Sequence, residues 1–347
     1  MREIDYAFMV RQHYILLAVA PHKVVSSQRK RFIQIVFGIL IGFLLACTLT
    51  FESESVTENV IRSTIETHTN TPQSGVIQPK KDIWLRCVIT IESQTEKLEK
   101  FIEAIKDTYG RRCNQTFYIT SSESLQKKYP DLEFYRIKTD LSPNRWSFFD
   151  RVLQFASDHS PPTMLLNNAT EWTIILNERT YVIVENLKHF LSSMPVDMPI
   201  AAGKVTSIRS FLHNIFPFTE THLFSLDAGV VLSKSTLDQI VSNSECRPSY
   251  FFKPWYAGKA LLQCVRSIGA LVFDPVDEDG YRMFLSDSPR SLFMDESKFR
   301  LFNNADKGPK SKLSTCCSDK AISFGLVSYR DQRVIEYFLE HVRVFGQ

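Results

Sequence analysis

Residues Trp172 to Leu191 read WTIILNERTYVIVENLKHFL, and three segments of different character stand side by side in them. Thr173 to Leu176 (TIIL) is a short apolar, β-branched run, the pattern of a strand buried on both faces. Asn177, Glu178, Arg179 and Thr180 interrupt it with polar side chains. Val184, Leu187 and Leu191 then recur at spacings of three and four, which places them on one face of a helix. The stretch therefore predicts a strand, a polar loop and a helix. The same order recurs outward in both directions. Upstream, WLRCVITI (Trp84 to Ile91) reads as a buried strand, and Ser93-Gln-Thr-Glu96 has the form of a capping box. Leu98, Phe101, Ile102, Ile105 and Tyr109 follow as one apolar helix face, with Gly110 as terminator. FYIT (Phe117 to Thr120) and the shorter EFYRIK (Glu133 to Lys138) read as strands. Trp146, Phe149, Val152, Leu153 and Ala156 form a second helical stripe. Downstream, AGVVLS (Ala228 to Ser233) is strand-like and Thr236 to Val241 continue as a helix. Alternating β and α elements predict an α/β fold, a mostly parallel sheet with helices on both faces. Such sheets carry function in the loops beyond the strand C-terminal ends.

Ahead of this region, Phe32 to Phe51 (FIQIVFGILIGFLLACTLTF) contains no charged residue. At about 1.5 Å of rise per residue, twenty residues match a hydrocarbon core of about 30 Å. Arg29, Lys30 and Arg31 precede the run, and Glu52 and Glu54 follow it. The positive-inside rule then predicts a single transmembrane signal-anchor in type II orientation. The run is long for a signal-peptide core and no clear small-x-small cleavage site follows it. The predicted organisation is a cytoplasmic tail (1–31), a transmembrane segment (32–51), a polar Ser/Thr/Glu-rich lumenal stem (52–81) and a lumenal domain (82–347).

The formal net charge of +3 arises from 41 Lys and Arg against 38 Asp and Glu. Beyond residue 31 the balance is 35 basic to 36 acidic residues, so the body of the protein offers no field for a nucleic-acid partner. Of seven cysteines, Cys47 lies in the apolar run. Cys87, Cys113, Cys246, Cys264, Cys316 and Cys317 lie on the predicted lumenal, oxidising side, where up to three disulfides are expected and fifteen pairings are open. The neighbours Cys316 and Cys317 are expected in two separate bridges, because adjacent cysteines seldom bond without strain. Asn114-Gln-Thr116 and Asn168-Ala-Thr170 are candidate glycosylation sequons. Trp84, Trp146, Trp172 and Trp255 sit in apolar patterns that favour core packing over sugar stacking. His189, His213, His222 and His341 show no metal-ligand spacing, and no metal site is expected.

Three segments taken together resemble the core 1 β1,3-galactosyltransferase family, a Fringe-related group of type II glycosyltransferases with a GT-A fold. WTIILNERTYVIVENL looks like that family's W-F-L-x-A-D-D-D-T-Y-V-I-x-E-N-L region, and AGVVLSKSTL (Ala228 to Leu237) is similar to its G-G-A-G-Y-V-L-S-K-E-A-L segment. The third is CCSDKAISF (Cys316 to Phe324), followed by EYFLEHVRVFG (Glu336 to Gly346); RRCN (Arg111 to Asn114) also fits. The resemblance implies a GT-A-like fold from about Trp84 to Gly346.

In active members the three aspartates end a strand and hold a divalent ion, usually manganese, against the sugar-nucleotide diphosphate. The matching positions here are Asn177, Glu178 and Arg179, so one carboxylate remains and a guanidinium stands beside it. The family's acid pair, which takes the acceptor hydroxyl proton, aligns with Ala257 and Gly258, and neither can accept a proton. Asp274, Asp277, Glu278 and Asp279 offer other carboxylates, but an acidic loop reads first as solvated surface. Leu226 and Asp227 replace a Gly-Gly pair and are expected to crowd the acceptor site. The pattern resembles the catalytically degenerate branch whose members act as chaperones in the endoplasmic reticulum. It implies a pseudoenzyme without cofactor, its client core 1 β1,3-galactosyltransferase, in mucin-type core 1 O-glycan synthesis. The alternative is a divergent β1,3-galactosyltransferase that moves galactose from UDP-galactose to O-linked N-acetylgalactosamine, with Mn²⁺. Endoplasmic reticulum residence is expected, with the Golgi as the alternative, and a homo-oligomer is compatible with either.

Overall fold

The computed structural model describes residues 31–42, 82–92, 97–137, 145–161, 169–195, 198–209, 220–243, 246, 256–294 and 317–342. It divides into two units, Met1–Ile77 and Gln78–Gln347. In the first, residues 31–42 form a helix exposed throughout. Among the described residues no helix is long and apolar enough to cross a membrane. Residues 43–51 of the expected anchor, the expected stem, and the sequon at Asn168 lie outside the described residues.

In the second unit, in chain order, the strands are β1 (Ile83–Ile91), β2 (Gln115–Thr120), β3 (Phe134–Arg136), β4 (Thr170–Asn177), β5 (Tyr181–Val182), β6 (Ile200–Gly203), β7 (Val205–Arg209), β8 (Glu220–Phe224), β9 (Val230–Ser233), β10 (Leu271–Phe273), β11 (Phe284–Leu285) and β12 (Ser323–Phe324). The helices are α1 (Leu98–Asp107), α2 (Glu123–Lys128), α3 (Trp146–Asp158), α4 (Val184–Ser192), α5 (Lys234–Ser242), α6 (Ala257–Ser267), α7 (Pro289–Met294) and α8 (Tyr329–His341). Seven strands make the central sheet in the order β10-β6-β9-β4-β1-β2-β3. All neighbours pair in parallel except β9, which runs antiparallel to both β4 and β6. β11, β12 and β5 form a small second sheet, and β7 with β8 a two-stranded ribbon.

Period-two alternation explains why both sheet faces are covered. Leu85, Cys87, Ile89 and Ile91 of β1 join Trp172, Ile174 and Leu176 of β4 under α1 and α4. Val88 and Ile175 point the other way, against Phe148 and Val152 of α3 and Leu261 and Val265 of α6. Trp146 and Trp172 are buried in these layers. The predicted elements differ in their ends. The Ser93–Glu96 motif lies outside the described residues, and α1 begins at Leu98 after Lys97 in a left-handed conformation (φ 57°). It stops at Asp107 rather than Gly110, because Thr108 leaves helical geometry and its hydroxyl donates back to the Ala104 carbonyl at 2.7 Å. The strand expected over Glu133 to Lys138 is three residues long.

Two disulfides are present: Cys87–Cys113 joins β1 to the segment before β2, and Cys246–Cys264 joins α6 to the segment after α5. Cys317 is also disulfide-bonded, and its neighbour Cys316 lies outside the described residues.

At the start of β4 sits a buried ion pair. Arg86 Nη2 lies 2.6 Å from Glu171 Oε1, with both side chains shielded from solvent. Its Nη1 donates to the carbonyl of Ala156 in α3, while Lys234 at the start of α5 approaches the other Glu171 oxygen at 3.3 Å. Burial lowers the Arg86 pKa and the Glu171 charge opposes that shift. Removing one partner strands the other charge in the core, so Glu171→Gln is expected to cost about 3–5 kcal/mol in denaturant unfolding. The double variant Arg86→Met/Glu171→Leu should cost markedly less, since no buried charge is then left without a counter-ion; Lys234, which loses Glu171, is partly exposed.

Candidate functional site

β4 ends at Asn177, and the side chain of Asn177 organises the turn that follows. Its Oδ1 accepts from the Arg179 backbone at 2.9 Å and lies 2.9 Å from the Thr180 hydroxyl. Its Nδ2 donates to Asp227 Oδ1 at 2.9 Å, and the Thr180 hydroxyl also lies 2.9 Å from the Asp227 carbonyl. Both polar ends of Asn177 are thus spent inside the fold. Glu178 is 3% exposed. Its Oε2 accepts from the Glu92 backbone at 3.4 Å, and its carbonyl accepts from Gln332 Nε2 of α8 at 3.0 Å. The Glu178 carboxylate therefore faces the protein, while Arg179 is exposed. A divalent ion needs several oxygen ligands directed at one point, and this strand end instead presents a fixed positive charge. Among the described residues no group of three or more His, Cys, Asp or Glu is placed to hold a metal ion. These residues do not fit the divalent metal that the resemblance implies for active transferases.

Asp227 lies in the 3₁₀ turn Leu226–Ala228 that leads into β9. Burial raises its pKa, and the hydrogen bond from Asn177 acts against that. Close by, Lys204 Nζ donates to Ser286 Oγ at 2.6 Å, and that hydroxyl donates to Asp287 Oδ2 at 3.0 Å. Burial lowers the Lys204 pKa, with Arg282 pushing the same way and Asp287, Asp274 and Asp227 opposing. Gly325 draws the walls together, since a Cβ at that position would sit 2.4 Å from the Ser286 carbonyl oxygen and 2.5 Å from that of Asp227. No side chain fits between these segments. The close approach at Asp227 comes from Gly325, which the reading of Leu226 and Asp227 as crowding an acceptor site does not include. Lys204 and Ser286 were not legible in the sequence, because 82 residues separate them and neither lies in a motif.

The other candidate residues fall elsewhere. Ala257 and Gly258 form the first turn of α6, where Ala257 is 1% exposed. A Cβ on Gly258 would lie 2.1 Å from the Phe224 carbonyl oxygen of β8. These positions are packing contacts between helix and ribbon. Asp274 faces Arg282 at 3.6 Å and accepts from the Val205 backbone. Asp277 caps its own turn through the Asp279 and Tyr281 backbone N–H groups. Glu278 pairs with Lys320 at 2.8 Å on the surface. Glu278 and Asp279 are solvated surface, whereas Asp274, mostly shielded, stands near Lys204. Asn114 is exposed at the edge of β2, and its Oδ1 accepts from the Leu85 backbone at 3.0 Å.

No family model matches the chain. Over 324 residues it is 26% identical to glycoprotein-N-acetylgalactosamine 3-beta-galactosyltransferase 1 of Xenopus laevis, an alignment that covers 89% of this chain and 83% of that protein. Among solved structures, it is similar to a mannosyltransferase from Pyrobaculum calidifontis in complex with GDP-Man and Mn²⁺. That likeness has 9% identity and a TM-score of 0.34, over 61% of this chain and 60% of the other. A glycosyltransferase involved in the glycosylation of the major capsid of PBCV-1 is also similar, at 10% identity and a TM-score of 0.29, over 55% of this chain and 82% of the other. In sequence, the chain is glycosyltransferase-like over most of its length.

Two variants probe this geometry. Gly258→Asp, which puts a carboxylate back at the position aligned with the acid pair, should destabilise the fold by about 1–3 kcal/mol through overpacking against β8. The loss should appear in the denaturation midpoint. For Asp227, a folded pKa above the unfolded one means that the native state binds the proton more tightly. Its charged form therefore costs stability as pH rises through the folded value. Asp227→Asn is expected to raise the melting temperature at pH 7, and the gain should vanish below about pH 4, where Asp is protonated in the unfolded chain as well.

Proposed function

We propose that this chain is a glycosyltransferase-like protein without transferase activity, and that it assists the folding of core 1 β1,3-galactosyltransferase in the endoplasmic reticulum. The observation that carries this reading is Glu178, inward-facing and 3% exposed, beside an exposed Arg179. A sugar-nucleotide diphosphate leaves with negative charge that an ion held by outward carboxylates would neutralise. Here the carboxylate is committed to the fold, and Gly325 closes the neighbouring segments on one another. The scaffold around this strand end is intact all the same. A protein that keeps the scaffold and gives up the chemistry can present a related surface to a partly folded relative. In this reading the apolar run 32–51 is the type II anchor that keeps the domain lumenal, and disulfides such as Cys87–Cys113 suit that oxidising compartment.

The second reading is a divergent β1,3-galactosyltransferase using UDP-galactose, with or without Mn²⁺. The similarity to the Xenopus laevis 3-beta-galactosyltransferase, over 89% of the chain, favours it.

The test is galactose transfer by the purified full-length chain, given UDP-galactose, Mn²⁺ and a peptide bearing O-linked N-acetylgalactosamine. The folded state is verified by cooperative melting, and an active relative serves as control. No transfer is expected, whereas cells lacking the chain should lose core 1 transferase activity and keep the transferase transcript. Transfer that disappears in a Glu178→Ala variant of unchanged melting would establish the second reading. Normal core 1 activity in cells lacking the chain would overturn the chaperone role.

A further inference from the structure

The sequon Asn114-Gln115-Thr116 follows directly on Cys113 of the Cys87–Cys113 disulfide and leads into β2. The fold treats the two ends of the Asn114 carboxamide differently. The Asn114 backbone N–H donates to the Leu85 carbonyl at 2.9 Å, and its Oδ1 accepts from the Leu85 N–H at 3.0 Å. The residue is exposed, and among the described residues its Nδ2 donates to no group. A side chain held by its oxygen and free at its nitrogen can carry a substituent on that nitrogen without giving up a native contact.

Its place in the sheet leaves room for a large one. Arg86 pairs with Gln115 and Thr90 with Asn177, so Asn114 stands at the N-terminal end of the parallel strands and the turn at Asn177 at the other. The five residues from Leu85 to Thr90 separate the two by about 16 Å, at about 3.3 Å per residue. A bulky, solubilising glycan at Asn114 would therefore stay clear of that turn.

The rest of the sequon is already engaged. A transferring enzyme reads the hydroxyl of a sequon threonine, and the Thr116 hydroxyl donates to the Gly110 carbonyl at 2.8 Å. Oδ1 of Asn114 is taken by Leu85, and Cys113 is tied to the buried Cys87. The nitrogen is accessible in the fold, but the groups by which a sequon is recognised are not.

We propose that Asn114 carries an N-linked oligosaccharide, attached before β2 pairs with β1 and before Cys113 closes on Cys87. The donor is a lipid-linked oligosaccharide pyrophosphate. Nδ2 forms a bond to the anomeric carbon, the bond from that carbon to the pyrophosphate oxygen breaks, and the lipid pyrophosphate leaves with the electron pair. One amide proton passes to the transferring enzyme. The assignment rests on the lumenal placement proposed above, and not on whether the chain transfers sugar or assists a client.

The test is peptide mapping of the full-length chain from mammalian cells, carrying Pro72→Thr, which completes a control sequon at Asn70. Enzymatic release of an N-linked glycan leaves Asp in place of Asn, so Asn70, Asn114 and Asn168 are read separately. A glycan at Asn114 is expected. An unmodified Asn114 in a chain modified at Asn70 or Asn168 overturns the proposal alone; a chain modified at none of the three overturns the lumenal placement with it. Order is read on chain made without glycans and given microsomal transferase and lipid-linked oligosaccharide. Asn114 should be modified in the reduced, unfolded chain and not in the folded one, and equal modification of both overturns the order. Asn114→Asp and Asn114→Leu should each abolish the modification. Only Asn114→Leu removes the acceptor of the Leu85 N–H, so it alone should lower the melting temperature of the unglycosylated chain. Equal melting of the two variants would show that Oδ1 does not hold Leu85 and would overturn the proposed order.

Discussion

A single buried guanidinium joins the layers of this fold. Arg86 projects from the middle of β1 into a region that period-two alternation would fill with an apolar side chain. Three separate segments arrange themselves around that charge: β4 supplies Glu171 as counter-ion and the Thr173 hydroxyl, α3 the Ala156 carbonyl, and Lys234 at the start of α5 completes the electrostatics from outside. The pair's net contribution is small, because desolvation offsets most of its attraction. Its structural consequence lies in register. β1 and β4 can meet only where Trp84 stands opposite Glu171 and Arg86 opposite Thr173, because a slip of one residue would turn Arg86 to the apolar α1 face. That register fixes where β4 ends, and hence where Asn177 begins its turn.

The strand end positioned in this way has been closed from three sides. Asn177 spends its amide on Asp227, Glu178 turns inward toward Glu92 and Gln332, and Gly325 lets β12 approach the 3₁₀ turn before β9. Each contact is modest, but together they replace the open oxygen cage that a cation would need with internal hydrogen bonds. The burial that raises the Asp227 pKa and lowers that of Lys204 has the same origin: charges that would be solvated at an open loop are here partly enclosed. The contact between Gln332 and Glu178 ties α8 to the same place.

How much of this was legible depends on sequence distance. Alternation in WLRCVITI and TIIL, and the three-and-four spacing of Leu98 to Ile105, announced strands buried on both faces and the helices over them, because those signals are local. That Asn177, Glu178 and Arg179 offer a single carboxylate is plain from NERT; that this carboxylate turns inward is not. Nor is the reversal of β9: AGVVLS carries the same apolar signal whichever way it runs, and the direction is set by the turn at Leu226–Ala228. The C-terminal end of α1 depends on Thr108 bonding its own helix, which propensity does not report. The Lys204, Ser286 and Asp287 group was hidden because sheet topology, rather than any motif, brings those residues together. Ala257 and Gly258 could be recognised as lacking a base, but their role as close packing against Phe224 emerges only with the ribbon in place.

Helix α8 shows where pattern reading inverts. In EYFLEHVRVFG the apolar letters suggest a core face, and a hydropathy rule would bury Tyr337, Phe338 and Leu339. The fold buries Gln332 and Glu336 because the surface beneath is polar: the Glu178 carbonyl, the Tyr181 hydroxyl and the Arg112 guanidinium all need partners in a place that water reaches poorly. Satisfying those groups outweighs hiding the aromatic rings, since a buried donor or acceptor left without a partner costs about 1–3 kcal/mol. The apolar face is then the remainder, turned to solvent as a consequence of what the site above it requires. The packing of α8 on the end of β4 thus leaves an apolar helix face that the described residues do not themselves cover.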